Sequence, residues 1–369
     1  MSLGQKMKWV LDSYFTPLTS SHYIELLNPL WADHQLHAKV VAVIDETKTA
    51  RTLVLQPGRN WRIHRPGQHI RVGVTINGAR HTRTYSLSSA PEAGGGQIAI
   101  TVKASEGGFV SRHLTTEVKV GDLIPVGLPQ GLFVMPEAGP VRPLFVTGGS
   151  GITPVMAMLR SLAIRRSAMS IVHIHYARHA WDVIFGQELR AMHRSLPNYR
   201  LIEIYTENKR RGIPGISDQP ADLHLTRGAL TAICPDWQDR ESWVCGPTGL
   251  NEAALQIWRE CQVESRLCIE AFHAKLAPLP GDAKGGVIKL QRSQKEISSD
   301  GQSSILQVAE AAGINLPHGC RMGICHGCNA TLIAGTVRDL RTGAVRQCSP
   351  GETVQICVTA VSGDSEFDV

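Results

Sequence analysis

The run Cys320-Arg321-Met322-Gly323-Ile324-Cys325-His326-Gly327-Cys328 combines residue types and spacing that point directly to metal chemistry. Three thiols at C-x4-C-x2-C spacing, with further cysteines downstream, fit a 2Fe–2S cluster. In such a loop three thiolates reach the iron pair while backbone amides point at the sulfurs and tune the potential. Gly319, Gly323 and Gly327 suit it, because close backbone approach leaves no room for a Cβ. A structural zinc site would favour two C-x2-C pairs, and only one is present. The fourth ligand is Cys348 or Cys357. Cys348 comes early and precedes the turn Ser349-Pro350-Gly351. Cys357 lies in the strand-like Val354-Gln355-Ile356-Cys357-Val358 and is the expected ligand.

Two further stretches carry binding chemistry. Thr147-Gly148-Gly149-Ser150-Gly151-Ile152-Thr153-Pro154 follows the apolar run Pro143 to Val146. A glycine-rich strand-to-helix turn at a first βα junction is where an anionic dinucleotide should bind, although the spacing departs from G-x-G-x-x-G. Arg178 follows the strand-like Ser170 to Tyr176, and Lys209-Arg210-Arg211 follows the next one. These cations suit the 2′-phosphate of NADPH, and no acidic residue immediately follows Tyr176 to hold the ribose diol of NADH. A solvated basic face is the plain alternative.

The elements that must position these residues change character along the chain. Residues 1–37 contain Trp9-Val10-Leu11, Tyr14-Phe15 and Ile24-Glu25-Leu26-Leu27, which suggest short helices lying on a surface. From 38 to 136 short alternating runs are separated by Pro57-Gly58, Pro66-Gly67, Asn77-Gly78 and Gly94-Gly95-Gly96, the pattern of a β-barrel. From 137 to 273 strands alternate with helices expected near 154–164, 185–195 and 250–261, a doubly wound parallel sheet. Residues 274–285 have the Pro/Gly/Ala/Lys composition of a linker, and 286–369 hold the cysteine cluster.

Composition sets the limits. A chain of 369 residues with 43% hydrophobic and 19% charged residues is globular and multidomain. No apolar run approaches the roughly 18 residues of a membrane span, and Met1 to Trp9 lead into no signal-peptide core, so a cytoplasmic location is expected. The net charge is +6, yet residues 285–369 carry 7 Lys/Arg against 8 Asp/Glu. With no basic run of five or more, anionic small molecules fit better than nucleic acid. Nine cysteines, five of them between Cys320 and Cys357, argue for metal binding over a disulfide framework.

Arg83-Thr84-Tyr85-Ser86, Gly107-Gly108-Phe109-Val110-Ser111 and Cys245-Gly246-Pro247 complete the set in chain order. Alone, each has an ordinary structural reading: a core tyrosine in a strand, a helix N-cap at Ser111, a small buried thiol. Together with the glycine turn they resemble the R-x-Y-S, G-x-x-S and C-G-P motifs of the ferredoxin-NADP reductase superfamily, and residues 286–369 resemble plant-type ferredoxins. The resemblance implies a flavin-binding β-barrel, an α/β nucleotide domain and an α+β β-grasp ferredoxin domain. It implies that Arg83 pairs with the phosphate of FAD, Tyr85 packs on the isoalloxazine and Ser86 hydrogen-bonds near its reactive nitrogen, with Thr84 between them. Gly107, Gly108 and Ser111 would receive the pyrophosphate. Gly148, Gly149, Ser150, Gly151, Thr153, Pro154, Cys245, Gly246 and Pro247 would place the nicotinamide nucleotide, and Cys320, Cys325, Cys328 and Cys357 would ligate the cluster. The reacting positions it implies are Tyr85, Ser86 and Cys245.

The module order implies an electron path from NADPH (or NADH) through FAD to the cluster, and out singly to an oxygen-activating iron enzyme. The leader Phe15-Thr16-Pro17-Leu18 and Tyr23 to Trp31, and the cluster loop with Met322 and His326, resemble bacterial reductase partners of membrane acyl-CoA (stearoyl-CoA Δ9) desaturases. The acceptor implied is therefore a diiron desaturase, to which this chain would be recruited without itself spanning the membrane. The alternatives are an aromatic-ring or alkane oxygenase and, from another class, a redox-sensing binding protein.

Overall fold

The structure is a computed structural model. It describes residues 28–31, 35–76, 78–105, 108–136, 142–166, 168–207, 224–272, 284–314, 316–318, 323, 327–347, 349 and 351–369. The expected leader helices, Gly107, Lys209 to Arg211, the linker up to residue 283, and Gly319, Cys320, Met322, Cys325, His326 and Cys348 lie outside the described residues. Two compact units are present: the described residues up to His81 together with Tyr85–Ala271 form the first, and Thr82–Thr84 together with Phe272–Val369 form the second.

The first unit opens with strands β1 (His37–Thr47), β2 (Ala50–Pro57), β3 (His69–Ile76), β4 (Ala79–Ser86) and β5 (Ile98–Lys103). Helix α1 (Phe109–Thr116) and the short β6 (Leu123–Pro125) follow. The strands form a sheet in the order β5-β2-β1-β6 and the separate pair β3-β4. Alternating side chains such as Val40, Leu53, Leu55, Val72 and Ile100 point to one interior, where α1 adds Val110 and Leu114. Isolated bridges His69–Gln130, Val72–Val126 and Leu87–Ile100 tie the sheets into a barrel.

The same unit continues with β7 (Pro143–Gly148), α2 (Ile152–Ile164), β8 (Ile171–Ala177), α3 (Gly186–Ser195) and β9 (Tyr199–Tyr205). Then come α4 (Arg227–Ile233), β10 (Glu241–Gly246), α5 (Thr248–Glu260) and β11 (Leu267–Ala271). All five strands run parallel in the order β11-β10-β7-β8-β9. The order reverses between β7 and β10, which makes their carboxyl ends the crevice of a doubly wound sheet. β7 and β8 are buried throughout, as strands covered on both faces must be. Barrel and sheet are bound together by Arg160, which grips Glu188 at 2.8 and 2.6 Å and donates to the Ser88 carbonyl at 2.7 Å. Ser161 donates to Glu92 at 2.8 Å beside it.

The second unit contains β12 (Gly286–Leu290), β13 (Lys295–Ser299), α6 (Ile305–Ala311), β14 (Asn329–Asp339), β15 (Val345–Gln347), β16 (Glu352–Gln355) and β17 (Thr359–Asp368). Its sheet runs β13-β12-β17-β14-β15, with β16 also on β14, and among the described residues β12 and β17 form the one parallel pair. Ser304 and Gln307 form a reciprocal capping box that starts α6. Ile305, Leu306 and Ala309 of α6 pack into a core with Leu332, Val337, Val361 and Phe367. A helix laid across a mixed sheet is the α+β grasp that the resemblance implied.

Candidate cofactor sites

The nucleotide crevice is built by two turns that touch backbone to backbone. A Cβ on Gly151 would lie 2.0 Å from the Cys245 carbonyl oxygen, and one on Gly246 would lie 3.1 Å from the Gly148 nitrogen. The gap at Gly151 admits no side chain and that at Gly246 is tight, so the β7–α2 turn and the Cys245-Gly246-Pro247 turn approach each other closely through glycine. Thr153 donates to the Ser150 carbonyl at 3.0 Å and fixes the first turn of α2, where Pro154 costs no hydrogen bond. The structure thus brings together Gly148, Gly149, Ser150, Gly151, Thr153, Pro154, Cys245, Gly246 and Pro247. Above them stand the amino end and positive dipole of the thirteen-residue α2. Lys103, the last residue of β5, was not foreseen here: its ammonium lies 4.0 Å from an ideal Gly149 Cβ.

Cys245 is fully buried beside Glu270, its partner on β11. Burial, and then the Glu270 carboxylate, push the thiol well above its ordinary range, so it stays neutral at pH 7. One Glu270 oxygen lies 3.6 Å from His69 Nδ1 on the barrel strand β3, while Oε2 is buried without a partner. Asn251 donates to the Glu270 carbonyl at 3.0 Å and holds this strand end in place. Glu270 and His69 were invisible as site residues in the sequence, because each is a single polar residue in a strand with no motif around it.

Arg83, Thr84, Tyr85 and Ser86 all lie on β4. Arg83 Nη1 donates to the Thr82 carbonyl at 2.9 Å, Tyr85 packs against the barrel core, and Ser86 is buried. The Thr84 hydroxyl is buried without a partner. The Leu87 amide, just past Ser86, donates to Gln68, the neighbour of His69, so the end of β4 adjoins the His69–Glu270 contact. The orphaned, buried Glu270 Oε2 fits a polar ligand such as a flavin. Ser111 is not the N-cap of α1: Gly108 occupies that position, and Ser111 sits inside the helix. Its hydroxyl donates to the Gly108 carbonyl at 3.0 Å and meets Ser105 Oγ at 3.0 Å, pinning the loop that the motif predicts for pyrophosphate.

Arg178 lies just beyond β8 and is mostly exposed. No acidic residue immediately follows Tyr176, but one reaches this position from the neighbouring strand. Glu207, past the end of β9, approaches Arg178 Nε at 3.4 Å and His179 Nε2 at 3.2 Å. His179 in turn stacks on Trp181, with ring centroids 4.4 Å apart. A short-range sequence search misses Glu207 because strand pairing, rather than adjacency, delivers it.

In the second unit Cys328 and Cys357 are buried with their sulfurs 3.0 Å apart. The Ile356 amide donates to the Cys328 carbonyl at 3.2 Å, so the two cysteine segments are hydrogen-bonded directly. Cys357 is not in a strand as expected. β16 ends at Gln355, and Cys357 lies in the turn before β17. Two converging thiols in an apolar pocket, beside a loop glycine with φ +70° at Gly323, fit one iron of a cluster.

A barrel with a phosphate-suited strand, a doubly wound sheet with its crevice at the switch point and a cysteine-bearing grasp define a nicotinamide-dependent flavin and iron–sulfur oxidoreductase. Family models agree, matching an oxidoreductase FAD-binding domain over residues 39–135, an oxidoreductase NAD-binding domain over 145–256 and a 2Fe-2S iron-sulfur cluster binding domain over 288–362. The chain belongs to the ferredoxin-NADP reductase family, in the form that carries a C-terminal ferredoxin domain. It is 41% identical to an NADPH oxidoreductase of Mycobacterium tuberculosis over 96% of this chain and 90% of that protein. It is 29% identical to the glycine betaine monooxygenase reductase subunit of Pseudomonas aeruginosa over 81% of this chain and 86% of that one. The solved phthalate dioxygenase reductase shares the fold, with a TM-score of 0.63 at 21% identity, covering 91% of this chain and 98% of that structure.

Proposed function

We propose that this reductase draws electrons from NADPH and delivers them singly to an oxygen-activating iron enzyme, most specifically a membrane fatty acyl-CoA desaturase. When bound, FAD supplies the exchange between a two-electron donor and one-electron carriers, and the cluster supplies the single-electron exit. The chain's own residues bind and orient. Arg83 offers a fork of donors to the flavin phosphate, Tyr85 a flat ring to a flat ring, Ser86 a hydroxyl at the reacting edge, and Gly108 and Ser111 a fixed loop for the pyrophosphate. Gly148 to Gly151, Thr153, Pro154 and Lys103 receive the dinucleotide phosphates, and Arg178 the 2′-phosphate. Cys245, neutral and buried, presents a small apolar surface to the nicotinamide beside Gly246 and Pro247, and Glu270 Oε2 offers an acceptor at the same junction. Cys320, Cys325, Cys328 and Cys357 ligate the cluster.

The observation that carries this reading is the meeting of the two glycine turns at the switch point, beside the buried Cys245–Glu270 pair. The desaturase assignment rests on the leader and the cluster loop of the sequence. A second reading, supply to an oxygenase, is favoured by the names of relatives that are monooxygenase reductase subunits. Reconstitution separates the two. Purified reductase, NADPH and a membrane acyl-CoA desaturase should yield unsaturated product, and the same reductase should support a Rieske-type oxygenase poorly. The reverse outcome selects the second reading. Turnover of NADPH too slow to reduce cytochrome c would reject both and favour a redox-sensing role.

A further inference from the structure

Arg341 occupies the short loop after β14 and holds two things at once. Its Nε and Nη2 grip the Asp339 carboxylate at 3.1 and 2.7 Å, a forked ion pair. Its remaining nitrogen, Nη1, reaches 3.4 Å to the carbonyl of Gly323, in the centre of the cysteine loop, and 3.3 Å to Gln355 Oε1, two residues before Cys357. Gly323 adopts φ +70°, and a Cβ there would lie 2.8 Å from Arg341 Nη1 and 2.9 Å from Val358 Cγ2. The positive φ and this close approach make glycine the suited residue at position 323. The Asp339 amide is fixed by the Ala344 carbonyl at 2.9 Å and the Leu340 amide by Val358 at 2.8 Å, so the arginine is mounted on a rigid turn. The Asp339 carboxylate first, and after it Cys357 and Cys328, favour the charged form of the guanidinium.

We infer that Arg341 is a positioning residue that ties the Gly323 backbone to the β14 turn and raises the reduction potential of the cluster bound there. The inference rests on the cluster reading above. Reduction adds one negative charge at the cluster, so a fixed cation beside it favours the reduced form, and Asp339 opposes part of that effect. A charge role and a purely mechanical role predict different signs. Removing the cation lowers the potential, whereas removing the acid leaves the cation uncompensated and raises it. Loosening a mechanical strap shifts both variants the same way.

The test is an anaerobic redox titration of the full-length holoprotein, read by EPR of the reduced cluster, for wild type, Arg341→Gln, Arg341→Lys and Asp339→Asn, with iron and sulfide content measured alongside. Arg341→Gln should lower the ratio of reduced to oxidised cluster at the wild-type midpoint about tenfold, a fall of about 59 mV for one electron. Arg341→Lys should keep most of the wild-type midpoint, and Asp339→Asn should raise it. Midpoints unmoved, or both variants shifted in one direction, overturn the inference. If Arg341→Gln does not hold iron, Asp339→Asn decides alone, since an unchanged or lowered midpoint there refutes the charge role. A wild-type protein without an EPR signal after reconstitution instead refutes the cluster itself.

Discussion

Glu207 illustrates how one side chain can set the balance between two coenzymes. Its carboxylate faces Arg178 and His179 at the outer end of the nucleotide crevice. A carboxylate there suits a ribose diol, while it repels a 2′-phosphate and competes for the cation that would receive one. Glu207→Gln should therefore raise the ratio of kcat/KM for NADPH over NADH about tenfold at low ionic strength, with a smaller change in high salt because the pair is exposed. Steady-state kinetics with both coenzymes at two salt concentrations measures this, and an unchanged ratio removes Glu207 from the site. Gly151 makes a sterically sharper case. The gap of 2.0 Å between its ideal Cβ and the Cys245 carbonyl involves backbone on the far side, which cannot rotate away. Gly151→Ala should cost about 1–3 kcal/mol of stability through overpacking and should weaken coenzyme binding while leaving the flavin spectrum intact. Thermal unfolding and a coenzyme titration of the same sample separate the two effects.

Strands β7, β8 and the edge strand β9 of the nucleotide sheet carry a polar seam. Thr147 Oγ1 on β7 meets His173 Nε2 and His175 Nδ1 on β8, each at 2.8 Å, and His173 Nδ1 meets the Tyr199 hydroxyl on β9 at 2.8 Å. Burial holds His173 well below its ordinary range and His175 down to about 3, with Lys103 and Arg190 adding to the shift at His175. Both rings are therefore neutral in the fold, whereas the unfolded chain takes up protons below about pH 6.5. Folded pKa values below the unfolded ones mean that stability is complete above about pH 6.5 and erodes as the pH falls toward 3. The thermal midpoint of this unit should drop between pH 7.5 and 5, and His175→Gln should flatten that slope. An equally steep slope in the variant contradicts the account. Thr147→Val removes both hydrogen bonds and should cost roughly 1–3 kcal/mol for each imidazole left short of a partner. Nothing in the sequence revealed this seam, although β7 and β8 themselves were readable as apolar runs of strand length flanked by a glycine turn and by helices. β4 was harder, because Ala79-Arg80-His81-Thr82-Arg83-Thr84-Tyr85-Ser86 is mostly polar and, among the described residues, pairs with β3 alone. The glycine turns and cysteines could be read because their chemistry is local. Lys103, His69, Glu207 and Glu270 could not, since each acquires meaning only when another strand arrives beside it. Cys357 shows the remaining error: Val354 to Val358 has strand composition, yet the chain must turn there to bring its sulfur to Cys328.

At the scale of the whole molecule, the division into two units follows from what each core can satisfy by itself. Barrel and nucleotide sheet share Arg160, Glu92, Ser161 and the His69–Glu270 contact, so they stand as one body around one junction. The ferredoxin-like unit has its own capped helix, its own mixed sheet and its own apolar core. Residues 274–285 contain Pro278, Pro280, Gly281 and Gly285 with Lys275 and Lys284, a composition that disfavours both helix and strand and offers sites to trypsin. Brief trypsin treatment should therefore cleave there first. The larger fragment should retain FAD and oxidise NADPH with ferricyanide at close to the rate of the intact protein, because the coenzyme turns, the β4 residues and Glu270 all lie before Phe272. The same fragment should lose most cytochrome c reduction, since the single-electron exit through Cys328 and Cys357 has been separated from the flavin. Retention of full cytochrome c activity after complete cleavage would mean that electrons leave directly from the flavin. The fused ferredoxin-like unit would then serve some purpose other than the electron exit assigned to it.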